Sequence, residues 1–132
     1  MLMSHSLKLQ YKLSNIIKFM TFSALLLMFS NLALAADQNV QQAWQKIDAG
    51  ALVVDVRTAE EFAQGHLPNA INIPFEQITT VFADKKIAKD QAVVLYCRSG
   101  RRSGIANDAL ISAGYSNTYN GGGYQMLIQQ PK

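Results

Sequence analysis

The chain has 132 residues, with 12 lysines and arginines against 9 acidic residues, two histidines and one cysteine. One cysteine excludes an internal disulfide, and with two histidines it makes too small a donor set for a typical zinc site. The length limits the globular part to one small domain.

The first 35 residues form a separate segment. Lys8, Lys12 and Lys18 stand in a stretch without acidic residues. Phe19 to Leu34 is apolar, interrupted by Thr21, Ser23, Ser30 and Asn31, and Ala33-Leu34-Ala35 supplies small residues at both positions that a signal peptidase reads. The pattern predicts a signal peptide over residues 1–35, cleavage after Ala35 and a periplasmic domain over residues 36–132. A membrane anchor is the competing reading, but the stretch is short and polar-dotted for a span of about 20 apolar residues. No stable membrane association is therefore expected after cleavage. Removing those three lysines leaves 9 basic residues against 9 acidic ones. The basic balance of the whole chain then gives no reason to expect nucleic acid as a partner, and a monomer is expected.

Within the mature region, Val40, Ala43, Trp44 and Ile47 recur at helical spacing, which predicts a helix over 39–49 stopped by Gly50. Trp44 belongs to its core stripe. Residues 51–56 are a short Val-rich run, as in a strand covered on both faces. Thr58-Ala59-Glu60-Glu61 is a capping box and opens a short helix carrying Phe62. Residues 65–69 have turn chemistry, and residues 70–73 form a short strand ended by Pro74. A weak helix is expected over 76–83, with Ile78, Val81 and Phe82 inward. Residues 92–96 are the clearest strand, and it delivers Cys97. Ser103 to Ala113 reads as a helix with Ile105, Ala106, Ala109, Leu110 and Ala113 on one face, ended by Gly114. Residues 116–119 are a strand, Gly121-Gly122-Gly123 a turn, and 124–128 a final helix. Strands alternating with helices imply a three-layer α/β/α domain with a mainly parallel central sheet.

Cys97 is followed by Arg98-Ser99-Gly100-Arg101-Arg102-Ser103. An isolated cysteine is often an inert core residue. Three arginines beside a thiol argue against that, because they cannot all be buried cheaply. A thiol at a strand's C-terminal end, under a helix N-terminus, meets free N–H groups and a dipole that favour thiolate. Asp55 and Arg57 end a second strand at the same edge of the sheet. They read first as an ion pair that holds the loop and supports the site from behind. His66 reads as a turn residue rather than a base, because nothing near it in sequence orients it.

Three segments carry a resemblance. Asp55-Val56-Arg57 with Glu61 and Gly65-His66-Leu67-Pro68-Asn69-Ala70-Ile71-Asn72-Ile73-Pro74 is one; Tyr96 to Ser103 is the second; Asn120-Gly121-Gly122-Gly123 is the third. In this order and spacing the chain resembles a rhodanese-homology domain, in particular the single-domain periplasmic thiosulfate sulfurtransferases of bacteria. Tyr124-Gln125-Met126 departs from the family, which more often has a tryptophan nearby. The resemblance implies Cys97 as the nucleophile that takes the outer sulfur of thiosulfate as a persulfide and passes it to cyanide or a thiol. It also implies that Arg98, Ser99, Gly100, Arg101 and Arg102 bind the small anionic sulfur donor, with Arg98 and Arg102 favoured for direct contact. No cofactor and no metal are implied. Two rival readings share Cys97. One is a non-catalytic persulfide carrier or binding module. The other is a cysteine phosphatase or arsenate reductase, which needs an arginine six places after the cysteine, where this chain has Ser103.

Overall fold

The computed structural model describes residues 9–18, 20 and 39–130. The chain divides into two compact units, Met1–Asp37 and Gln38–Lys132. In the first, residues 9–18 are helical. The apolar stretch of the expected signal peptide, apart from Met20, lies outside the described residues, as does the Ala33-Leu34-Ala35 site. No helix among the described residues is long and apolar enough to cross a membrane.

The second unit alternates helices and strands. Helix α1 covers residues 39–48. Strand β1 (Leu52–Asp55), helix α2 (Ala59–Ala63), strand β2 (Ile71–Asn72), helix α3 (Ile78–Asp84), strand β3 (Val93–Cys97), helix α4 (Arg101–Ser112), strand β4 (Thr118–Gly123) and helix α5 (Tyr124–Gln129) follow. The strands form one sheet in the order β2-β1-β3-β4, with every pairing parallel.

The period-2 alternation of strand side chains divides the core in two. Val54, Val56, Val93, Leu95 and Cys97 face one side, where Ile78, Phe82, Ala106, Leu110 and Tyr115 cover them. Val53, Val94 and Tyr96 face the other, against Val40, Ala43, Leu67 and Leu127. A sheet with helices on both faces is the expected three-layer arrangement. All five residues of β3 are buried, as a strand covered on both faces requires. Fully burying a Val, Leu or Phe side chain contributes roughly 1.5–3 kcal/mol. Cys97 therefore stands at the end of the most tightly held strand.

Three boundaries differ from the sequence reading. The weak helix expected from residue 76 begins as a 3-10 turn, Phe75–Gln77, before α3. Helix α4 begins at Arg101, two residues early, because Gly100 takes a positive φ of 93° at its N-cap and turns the chain sharply into the helix. Gly121-Gly122-Gly123 is not a turn. It is the end of β4, paired with β3 through a register shift that sets Cys97 opposite Gly123. A Cβ on Gly121 would stand 2.9 Å from Val94 Cγ1, and one on Gly123 2.8 Å from the Arg98 carbonyl oxygen. Here glycine serves close backbone approach rather than turning.

Candidate active site

Strand β3 ends by placing the Cys97 sulfur beneath the first turn of α4. The backbone N–H of Gly100 donates to Cys97 Sγ at 3.0 Å, and Ser103 Oγ lies 3.5 Å from the same sulfur. Burial pushes the Cys97 thiol up. The Ser103 hydroxyl and the N–H groups of Ser103, Ser99 and Gly100 outweigh burial and leave it below its ordinary value. These donors favour the thiolate over the thiol.

Ser103 is fixed from two sides. Its Oγ is 2.7 Å from Asn120 Oδ1 and 3.1 Å from the Gly100 carbonyl oxygen. A hydroxyl carries one proton, so it donates to one of Asn120 Oδ1, the Gly100 carbonyl and Cys97 Sγ at a time. Asn120 also donates to the Gly100 carbonyl at 3.0 Å and accepts from the Gly122 N–H at 3.0 Å. One amide thus ties the glycine strand to the loop. Neither Ser103 nor Asn120 was assigned a role from sequence.

The three arginines have different fates. Arg102 lies on α4 and makes a bidentate pair with Glu61 of α2, Nη1 to Oε2 at 2.8 Å and Nη2 to Oε1 at 2.9 Å. Glu61 Oε2 also accepts the Thr58 N–H at 2.9 Å, and Thr58 Oγ1 accepts the Glu61 N–H at 3.2 Å. The expected capping box is therefore present, and it aims the Glu61 carboxylate at Arg102. The hydrogen bond from Arg102 pulls the Glu61 carboxyl down to about 2. Arg98 and Arg101 are exposed and have no carboxylate partner among the described residues. Ser99 is exposed at the loop's tip.

Asp55 and Arg57 form a buried pair at the end of β1. The Arg57 Nε donates to both Asp55 oxygens at 3.0 Å, and Nη2 reaches Asp55 Oδ2 at 2.6 Å and the Gly65 carbonyl at 2.7 Å. The guanidinium lies over the Tyr124 ring at 4.4 Å and the Tyr96 ring at 5.7 Å. Tyr96 in turn accepts the Leu67 N–H on its phenol oxygen at 3.0 Å. This chain of contacts braces residues 57–67 and α5. His66 stacks on Phe62 at 3.7 Å, with Nδ1 3.0 Å from the Phe62 carbonyl oxygen.

Cys97 itself is fully buried. A cleft of ≈ 420 Å³ opens next to its loop, lined by Arg57, Glu61, Gln64, Gly65, Arg98, Tyr124 and Gln125. Among the described residues no group of three potential ligands is placed to hold a metal ion.

The chain is similar to several known proteins. A thiosulfate sulfurtransferase of Escherichia coli, PspE, is 38% identical over 79 residues, covering 60% of this chain and 75% of its own. A thiosulfate:glutathione sulfurtransferase of Saccharomyces cerevisiae is 33% identical over 100 residues, covering 67% of this chain and 72% of its own. A solved structure described as a rhodanese with anions from E. coli superposes with a TM-score of 0.57 at 35% identity, covering 62% of this chain and 95% of that one. The Rhodanese-like domain matches residues 39–126. That span takes in the parallel sheet, the Cys97 loop and the glycine strand together, and by it the chain belongs to the Rhodanese-like domain family.

Proposed function

We propose that the protein is a sulfurtransferase that moves a sulfane sulfur from thiosulfate, or a similar small anionic donor, to cyanide or a thiol. The Cys97 thiolate attacks the outer sulfur of thiosulfate. The sulfur–sulfur bond of the donor breaks, sulfite leaves with its electron pair, and Cys97 holds a persulfide. The acceptor then attacks the outer persulfide sulfur, and the Cys97 thiolate is restored as the leaving group. No net oxidation or reduction of the enzyme occurs over the cycle.

The observation that carries this reading is the Gly100 N–H at 3.0 Å from Cys97 Sγ, in a thiol lowered by the surrounding donors. Fixed N–H groups that stabilise a thiolate serve equally for the anionic outer sulfur of a persulfide. The related sulfurtransferases and the E. coli rhodanese seen with anions support the same chemistry. In this reading Arg98 meets the donor directly, Arg101 adds a more distant charge, and Arg102 acts through its pair with Glu61. Asp55 and Arg57 position the cleft wall.

Mass spectrometry of the purified protein after thiosulfate tests the first step, with a one-sulfur adduct on Cys97 expected. Steady formation of thiocyanate from thiosulfate and cyanide then separates an enzyme from a persulfide carrier. An unmodified protein that releases no sulfite would end this reading. Export is part of the proposal, with a mature N-terminus at Ala36 in the periplasm. N-terminal sequencing of cell fractions tests it, and a full-length membrane-extracted product would show an anchor instead.

A further inference from the structure

The loop after Cys97 holds three arginines, yet the cleft beside it is not strongly cationic. Arg102 is matched by Glu61 and Arg57 by Asp55, each through two or more hydrogen bonds. Among the charged groups that line the cleft, Arg98 alone has no carboxylate partner among the described residues. Beyond the lining, the exposed Arg101 is the loop's other arginine without a carboxylate partner among the described residues. Glu61 is the residue that makes the difference. The Thr58 N–H holds its carboxylate, it lines the cleft, and it is ionised at any working pH because Arg102 keeps it at about 2.

We propose that Glu61 is a specificity-determining residue: by matching both terminal nitrogens of Arg102 it caps the positive charge at the cleft, and so disfavours dianionic sulfur donors relative to monoanionic ones. The inference rests on the sulfur-transfer reading and refines its donor class. A dianion feels the Glu61 charge twice as strongly as a monoanion of the same shape. One unit charge about 4 Å away shifts the relative preference about sixfold even at bulk-water screening, and by more where the protein surface lowers the screening.

The test uses thiosulfate and methanethiosulfonate, a monoanion in which a methyl group replaces one oxygen of thiosulfate. Both deliver the same outer sulfur, with sulfite or methanesulfinate as leaving group and thiocyanate from cyanide as readout. The quantity read is kcat/KM for thiosulfate divided by kcat/KM for methanethiosulfonate. Glu61→Gln keeps an acceptor for the Thr58 N–H and should raise this ratio about sixfold or more. Arg102→Gln, which leaves Glu61 unmatched, should lower it. A pair that only braces the loop would change both donors together and leave the ratio within about twofold, which overturns the proposal. Movement of both variants in one direction overturns it too. If Glu61→Gln does not fold by circular dichroism, Arg102→Gln decides alone, and a ratio that fails to fall overturns the proposal. Wild type that turns over neither donor overturns the sulfur-transfer reading along with this one. Wild type that turns over both, with a fixed ratio, overturns this one only.

Discussion

The Gly100 N–H meets Cys97 Sγ at 3.0 Å because Gly100 adopts a φ of 93°, a conformation open to glycine and costly to other residues. A Cβ there would also stand 3.3 Å from Gly122 Cα, a tight contact that the glycine strand would have to relieve by a few tenths of an ångström. Gly100→Ala should therefore cost about 1–2 kcal/mol of stability from the left-handed backbone alone. It should also draw the N–H off the sulfur and raise the thiol's pKa. Urea unfolding and the pH dependence of Cys97 alkylation check the two effects separately.

Cys97→Ser should abolish the one-sulfur adduct and thiocyanate formation while leaving the fold intact. Serine fits the buried site and accepts the Gly100 N–H as sulfur does. Adduct mass and far-UV circular dichroism are the measurements. Turnover at a comparable rate in this variant would overturn the persulfide mechanism.

Ser103→Ala removes the hydroxyl 3.5 Å from Cys97 Sγ. Asn120 Oδ1 keeps the Gly122 N–H at 3.0 Å, so no acceptor is orphaned. The thiol's pKa should rise, because a donor that favours thiolate is lost while burial remains. Alkylation should slow at neutral pH and recover as pH is raised. A slowing that persists at high pH would mean a displaced loop rather than a changed thiolate fraction.

Arg98→Ala should raise KM for thiosulfate about fivefold with a smaller effect on kcat, the loss expected for an exposed ion pair of about 1 kcal/mol. The difference from wild type should shrink as salt is added. Arg101→Ala, exposed and outside the cleft lining, should stay within about twofold of wild type. Steady-state kinetics at two ionic strengths measures both.

Glu61 carries a pH signature of stability. Its carboxyl falls from 4.5 to about 2 in the folded protein, first through the hydrogen bond from Arg102. A depressed carboxyl stabilises the fold above its unfolded pKa and loses that contribution as pH falls towards the folded one. Wild type should exceed Glu61→Gln by about 1 kcal/mol near neutral pH, since a partly exposed pair is screened. The gap should close between pH 4.5 and about 2. Urea midpoints across that range provide the check, and a constant gap would mean the pair contributes through packing.

The fold was legible because β3 is apolar throughout and helices separate the strands. The Thr58–Glu61 box was legible because its two partners are three residues apart. Glu61 and Arg102 are 41 residues apart, and nothing local announces their pairing. Ser103 and Asn120, 17 apart, are hidden for the same reason. Gly121-Gly122-Gly123 misled because three glycines suggest a turn by local preference, while Gly121 and Gly123 allow close packing and Gly122 supplies a φ of 90° within the strand. Local preference speaks for a segment alone, and these contacts depend on which segments the sheet brings together.

The close fit of β4 against the loop also has a mutational consequence. Gly121 and Gly123 contribute no reactive atom, yet a Cβ would stand 2.9 Å from Val94 Cγ1 and 3.2 Å from the Leu95 carbonyl oxygen at the first, and 2.8 Å from the Arg98 carbonyl oxygen at the second. A substitution at Gly123 would press directly on the backbone of the Cys97 loop, and one at Gly121 on the strand that carries Cys97. In a saturation scan scored by activity, both should be as intolerant as Cys97 itself. The gene can therefore lose its chemistry at sites that carry none.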